Sequence, residues 1–343
     1  MIRIGVIGYG YWGPNLARCV SECDTSILAA VADSSTTALA RAGNRYPAAQ
    51  LYENFDELIA DPTIDAVSIA TPVATHFELA RAALLAGKHV LVEKPMTSSS
   101  ESARSLVDLA ADRKLVLMVG HTFVYTGAVQ KIDELIQNKT IGEVFYYDST
   151  RINLGLFQSD VNVIWDLAVH DVAVLDFLMQ DSPVAVSASA TGHIRGNQEN
   201  MAHLTLFYDG GMVAHLNVNW LAPVKVRQTL IGGSRRMIVY DDLQPSEKVK
   251  IYDRGVTLHA HDDEEVNKLR VSYRMGDMWA PQLSTKEALL TEIEHFVSCV
   301  EQGAQPRTSG LSGLRVVQAL ESAMLSLRGR GNPIELRKLQ RAS

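Results

Sequence analysis

The chain is poor in the features that mark several protein classes. It has only three cysteines, Cys19, Cys23 and Cys299. Three thiols cannot all pair, and two sit close together in an apparent helix. A disulfide-stapled scaffold is therefore excluded, and reduced, partly buried thiols of a cytoplasmic protein are expected. No apolar run reaches the ~18 residues that a membrane span needs. Positive charge is not in excess either: 32 Lys and Arg stand against 39 Asp and Glu, a net −7. That balance argues against nucleic acid and membrane surfaces as partners, since both need a concentrated positive face. The opening run Met1-Ile2-Arg3-Ile4-Gly5-Val6-Ile7 reads as a strand that starts at once, not as a secretory leader.

What is present is ordinary globular material, and 343 residues are enough for about two domains. Up to about residue 120, short apolar runs alternate with Ala- and Leu-rich helical stretches such as Phe77–Ala86 and Ser102–Asp112. The runs are Ile2–Ile7, Ile27–Ala32, Ala66–Ala70, His89–Val92 and Val116–Val119. They do not alternate polar with apolar, so they read as strands buried on both faces. Asn54 with Glu57, and Thr75 with Glu78, have capping-box spacing, and Gly87 falls where a helix should end. This texture predicts a doubly wound parallel sheet over residues 1–120, an α/β Rossmann domain.

From residue 121 to 343 the texture changes to an α+β domain with an open, mostly antiparallel sheet. Helices are expected at Ala128–Gln137 and Ile164–Met179, and again at Lys286–Gln302 and Leu314–Leu327, the last two able to pack back on the first domain. Val184–Ala190, Met201–Tyr208 and Met212–Trp220 read as strands. In the last of these Met212, Ala214, Leu216, Val218 and Trp220 share one face, and His215, Asn217 and Asn219 the other. Residues 241–285 look charged and irregular.

Gly8-Tyr9-Gly10-Tyr11-Trp12-Gly13 follows the first strand directly. The first glycine permits the tight turn, the second lets backbone approach a pyrophosphate, and the third lets helix pack on strand. Pro14 suits the first helical turn, and the helix N-terminus offers free N–H groups to phosphate. Asp33 ends the second strand, 20 residues beyond Gly13, where a carboxylate accepts from the adenosine ribose hydroxyls. It would repel a 2′-phosphate, and Ser34 and Ser35 bring no basic partner. NAD is therefore favoured, with NADP as the alternative.

A second cluster comprises Ala70-Thr71-Pro72 with His76, then Gly87-Lys88-His89-Val90-Leu91-Val92-Glu93-Lys94-Pro95. Lys94 ends a buried strand at the carboxyl edge of the sheet, where ligands of such folds bind. Alone, such a lysine is more often a solvated cation at a strand end. A third cluster is Trp165-Asp166-Leu167-Ala168-Val169-His170-Asp171, in which Asp166 and His170 share a helical face. By itself this is either a satisfied acid–imidazole pair or a functional one. No metal site is expected, because no second ligand pair has suitable spacing nearby. His259-Ala260-His261-Asp262-Asp263 reads as solvated loop.

With these stretches in hand, the sequence resembles the Gfo/Idh/MocA oxidoreductase family, and among its members those that act at C3 of nucleotide-linked sugars. The resemblance rests on Gly8–Gly13, Thr71-Pro72 with His76, Gly87–Pro95 and Asp166 with His170. It implies that Lys94 is a catalytic lysine whose bond to Pro95 is often cis, that His170 is a catalytic histidine, and that Asp166 is an active-site acid. This chain has Ala168 where the family usually has glycine. Gly8, Gly10, Tyr11, Trp12, Gly13, Asp33, Ser34, Thr71, Pro72, His76, Glu93, Lys94 and His121 are the expected cofactor contacts. Tyr125, Arg151 and Asn153 join Lys94, Asp166 and His170 as expected substrate contacts; Arg151 could meet a pyrophosphate or a uronate in bidentate fashion.

Hydride transfer from a secondary alcohol needs a base for the hydroxyl proton and a donor for the developing alkoxide. His170 and Lys94 suit these roles, and the residues do not say which does which. Inositol, polyol or free-sugar oxidation is the alternative chemistry, and a dinucleotide-binding sensor without turnover is the alternative of another kind. The resemblance also implies a homodimer or homotetramer through the second sheet, whose outer face carries Ala185, Ser187, Ser189, His215, Asn217 and Asn219.

Overall fold

The computed structural model describes residues 1–155, 161–194, 198–259 and 270–336. Their contacts divide them into two units. The first comprises Met1–Thr126, Val172–Phe177 and Thr285–Glu321; the second comprises Gly127–Asp171, Leu178–Ser284 and Ser322–Ser343.

The first unit is built on a parallel sheet of six strands: β1 (Ile2–Ile7), β2 (Ser26–Ala32), β3 (Gln50–Tyr52), β4 (Ala66–Ile69), β5 (His89–Glu93) and β6 (Leu117–Gly120). Their order is β3-β2-β1-β4-β5-β6. The chain therefore reverses direction across the sheet between β1 and β4, which is the switch point of a doubly wound fold. Ile4, Val6, Val31, Val67, Ile69, Val90 and Val92 are wholly enclosed. That is why these strands read as continuous apolar runs.

Helix α1 (Gly13–Glu22) carries Pro14 in its first turn, and no side chain caps its N-terminus. Ser35 accepts from the Ala38 N–H to start α2 (Thr36–Arg45), and Asn54 accepts from Asp56 to start α3 (Phe55–Ala60). The expected start at Thr75 is corrected: α4 (Val73–Leu85) begins after Pro72, whose φ of −59° is already set for helix entry. The Thr75 hydroxyl donates to the Pro72 carbonyl instead. Gly87 follows α4 with φ +79°, and the next helices along the chain are α5 (Ser100–Arg113) and α6 (Gly127–Gln137).

The second unit holds a nine-stranded sheet. Its first strands are β7 (Val144–Leu154), β8 (Ala185–Thr191), β9 (Met201–Phe207), β10 (Val213–Asn219) and β11 (Leu221–Gly233), with β7 at the centre flanked by β10 and β11. The β7–β10 pair is parallel; every other pairing in this sheet is antiparallel. Along β10, Ala214, Leu216 and Val218 are buried while His215 is exposed, as the alternation requires. The reading of 241–285 as irregular is corrected: Val249–His259 and Arg270–Trp279 form a long antiparallel pair. Residues 273–278 of that pair are exposed, so no apolar alternation marks it. Most of the His259–Asp263 run lies outside the described residues. Among the described residues no helix is long and apolar enough to cross a membrane. Cys19, Cys23 and Cys299 are buried and unbonded.

Candidate functional site

The glycine turn has three distinct environments. Gly8 has φ +92°, and a side chain there would meet the Ala70 carbonyl oxygen at 2.7 Å. A Cβ on Gly13 would lie 1.9 Å from the Gly8 carbonyl oxygen, so α1 packs directly on the turn. A Cβ on Gly10 would meet nothing within 4 Å. Two glycines are thus needed by the fold, and the third keeps open the face where α1 presents its uncapped N–H groups. That cradle fits a pyrophosphate. Tyr11 stands beside it almost fully exposed, and Trp12 precedes the helix.

Asp33 does more than end β2. Its carboxylate accepts from the Tyr9 N–H at 2.6 Å and the Ser35 N–H at 2.8 Å, tying the glycine turn to the loop that starts α2. Ser34 in that loop is exposed. Sequence reasoning missed Arg41, which reaches from α2 to donate to the Tyr9 carbonyl at 3.1 Å and lies over the Tyr9 ring. No spacing rule links a helix interior to a turn 32 residues upstream.

Thr71 and Pro72 follow β4, next to the glycine turn. His76 is enclosed, with Nδ1 at 2.9 Å from the Pro95 carbonyl and Nε2 at 2.8 Å from the Thr71 carbonyl. Burial lowers its pKa from the ordinary value, against the pull of these carbonyls. It acts as a clamp between two loops and reaches a ligand only through them. Lys94 follows β5 and is half-buried, and its peptide bond to Pro95 is cis. Behind it, the Glu93 carboxylate accepts from the Lys94 N–H at 3.2 Å. Burial, only partly offset by the Lys94 charge, pushes Glu93 up to about 7. His121 follows β6 and is also enclosed; burial first, then the Lys94 charge, holds it down at about 3, so its imidazole is neutral.

In the second unit, Asp166 lies on a π-helical turn, Ile164–Ala168, that runs into helix α7 (Val169–Met179). The Val169 N–H reaches back to the Ile164 carbonyl, five residues away. Asn162 starts the turn, its side-chain oxygen accepting from the Ile164 and Trp165 N–H groups at 3.2 Å each. The Asp166 carboxylate accepts from the Trp220 indole N–H at 3.1 Å. His170 follows one turn later and is half-buried.

Directly after His170, Asp171 is buried. It accepts from Arg151 Nε at 2.8 Å, Arg151 Nη2 at 3.1 Å and the Ser149 hydroxyl at 2.9 Å. Arg151, expected to meet substrate, is itself buried and faces this carboxylate. Tyr125 is likewise enclosed, with its hydroxyl 3.1 Å from that of Thr308. Neither presents a polar group to solvent in this structure. Asn153 is half-buried beside Gly155 and Trp220. The Arg151–Asp171 pair therefore bolts the start of α7 to β7. Asp171→Ala takes the carboxylate from a buried guanidinium and is expected to cost about 3–5 kcal/mol in urea denaturation. Arg151→Met with Asp171→Leu should recover most of that loss; a single variant as stable as the parent would show that the pair anchors nothing.

Among the described residues, one group of metal-capable atoms lies close together: Cys19, Glu22 and Glu287, within 4.8 Å of one another. Both carboxylates already accept from Arg18, and burial pushes the Cys19 thiol up to about 12.

Comparison with known proteins gives matches over most of the chain. A family model described as an oxidoreductase family with an NAD-binding Rossmann fold matches residues 2–121, and the GFO/IDH/MocA C-terminal domain matches residues 129–239. The UDP-N-acetylglucosamine 3-dehydrogenase of Acidithiobacillus ferrooxidans is 29% identical over 323 residues, covering 93% of this chain and 95% of that one. A crystal structure of the same protein superposes with a TM-score of 0.79 at 28% identity, covering 96% of this chain and 98% of that one. The inositol 2-dehydrogenase of Rhizobium meliloti is 26% identical over 338 residues, covering 95% and 97%.

Proposed function

The chain belongs to the Gfo/Idh/MocA family of NAD-binding oxidoreductases, and we propose that it transfers a hydride between NAD and a secondary alcohol of a sugar, at C3 of a nucleotide-linked sugar. One observation carries this reading. The glycine turn after β1, Thr71-Pro72 after β4 and Lys94 after β5 stand at the carboxyl ends of three adjacent parallel strands, at the switch point of the sheet. The choice of a nucleotide sugar draws on the similarity to a UDP-N-acetylglucosamine 3-dehydrogenase.

NAD at the glycine turn supplies the hydride acceptor or donor. The chain does the rest. The α1 N-terminus and the Gly10 backbone hold the pyrophosphate. Asp33, already oriented by two backbone N–H groups, accepts from the ribose hydroxyls. Lys94 and His170 serve the reacting oxygen, one donating to it and the other taking its proton. Asp166, fixed by Trp220, orients His170.

The test is reduction of NAD or NADP, followed by near-ultraviolet absorbance, with UDP- and dTDP-sugars, myo-inositol and glucose as substrates. Single-turnover detection allows for cofactor that stays bound. Reduction of NAD by a nucleotide sugar is the expected result. Reduction by inositol alone would move the substrate to the polyols, and bound cofactor that no sugar reduces would leave a sensor.

The proposed assembly is a homodimer or homotetramer through the outer face of the nine-stranded sheet. Ala185, Ser187, Asn217 and Asn219 are half-buried there, and Ser189 and His215 are exposed. A small, weakly charged face of this kind is readily covered by a second copy. Light scattering on a sizing column should give two or four times the chain mass of 37.6 kDa; a species of that mass alone would refute it.

A further inference from the structure

The first unit encloses an acid, Glu292, that the proposed reaction does not use. Helix α8 (Ala288–Gln302) buries Leu289, Ile293 and Phe296, and on the same stripe it buries Glu292 completely. Glu292 accepts from the Thr122 hydroxyl at 2.8 Å, and among the described residues no cation is paired with it. Its carboxyl is close enough to that of Glu93 for the two to repel. Gly120 pairs with Glu93 across the sheet, and a Cβ there would lie 3.1 Å from the Glu93 carboxyl, which places His121 at the same spot.

Four buried polar atoms here have no hydrogen-bond partner among the described residues: Glu93 Oε1, Glu292 Oε1 and both ring nitrogens of His121. The Trp12 side chain hydrogen-bonds Glu93. Neutral His121 offers one N–H and one acceptor nitrogen, and the two carboxyls offer acceptor oxygens.

Charge decides the rest. Lys94 is the cation beside Glu93. The other groups facing Glu292 are Thr122 and Tyr125 from the segment after β6, Cys19 from α1, and Glu93 itself. Arg307 and His295 lie farther out, against Tyr125. Two ionised carboxylates against one ammonium, away from water, are strongly disfavoured. We propose that Glu93, His121 and Glu292 form an enclosed cluster behind Lys94 that holds one proton between its two carboxyl groups, with Glu292 as the group that keeps it. The Lys94 charge draws the negative charge to Glu93 and leaves the proton on Glu292. The cluster thus sets the charge against which Lys94 works, whatever ligand Lys94 meets.

Infrared spectroscopy of the full chain at neutral pH tests this without any substrate. The expected result is a carbonyl stretch from one protonated carboxylic acid, shifting in heavy water only after slow exchange. Glu292→Gln should abolish it. Lys94→Met, which removes the cation from a half-buried position, should bring the band towards twice its intensity as Glu93 also takes a proton. Absence of the band in the parent protein overturns the proposal, and so does its persistence in Glu292→Gln. A band unmoved by Lys94→Met overturns the link to Lys94 even if Glu292→Gln fails to fold. None of these results depends on whether a sugar is oxidised, so failure of the hydride-transfer reading would be seen separately.

Discussion

Lys94→Ala is expected to lower kcat/KM for the sugar by about 1,000-fold, within the usual range for loss of a proton-transfer or alkoxide-stabilising group, while NAD still binds. The reason is positional. Lys94 leaves β5 at the carboxyl edge of the parallel sheet, two strands from the glycine turn. Removing it takes away a group proposed to act on the reacting oxygen and leaves the cradle intact. His170→Ala should behave in the same way, because Asp171 and Asn162 hold the start of α7. Stopped-flow turnover and calorimetric NAD binding on each variant separate the two effects. Unchanged turnover in either variant would remove that residue from the mechanism. Lost NAD binding would give it a different role.

The glycine turn offers the second large effect, through a contrast between two positions. Gly10→Val should leave the protein as stable as the parent, since a side chain there meets nothing within 4 Å. It should still block the approach of the pyrophosphate. Losing two charge-assisted hydrogen bonds at about 1.5 kcal/mol each weakens NAD binding about 100-fold. Gly13→Ala should do the reverse first: its Cβ would sit 1.9 Å from the Gly8 carbonyl oxygen, so the turn or α1 must move and stability falls. Thermal unfolding with and without NAD distinguishes the two. A Gly10→Val protein that NAD stabilises as much as the parent would mean that the cofactor does not lie on this face.

The legible parts of the fold are those whose burial leaves a pattern. Strands β1, β2, β4, β5 and β6 stood out because both faces are covered. β3 did not, since Gln50 and Leu51 are exposed and it has only three residues. The strand pair at Val249–His259 and Arg270–Trp279 was hidden because residues 273–278 are all exposed and leave no apolar alternation. At the site, the glycine spacing and Asp33 carried their meaning in sequence. The bond from Trp220 to Asp166 did not, because a core position on an alternating strand gives no sign of where its indole N–H points. Arg151 looked like an anion binder because its partner Asp171 lies 20 residues away and nothing in the spacing joins them. Glu292 did leave a trace: it falls on the apolar stripe of α8 with Leu289, Ile293 and Phe296. An acid on such a stripe must be neutralised or paired.

The transfer itself can be followed with UDP-N-acetylglucosamine carrying deuterium at C3, mixed with the protein and NAD under single-turnover conditions, by mass analysis of the cofactor released. Reduced cofactor carrying the deuterium on its nicotinamide ring is the predicted result. Cofactor that stays oxidised with this and every other deuterated sugar or polyol, or that is reduced without gaining the label, would contradict hydride transfer from the sugar alcohol.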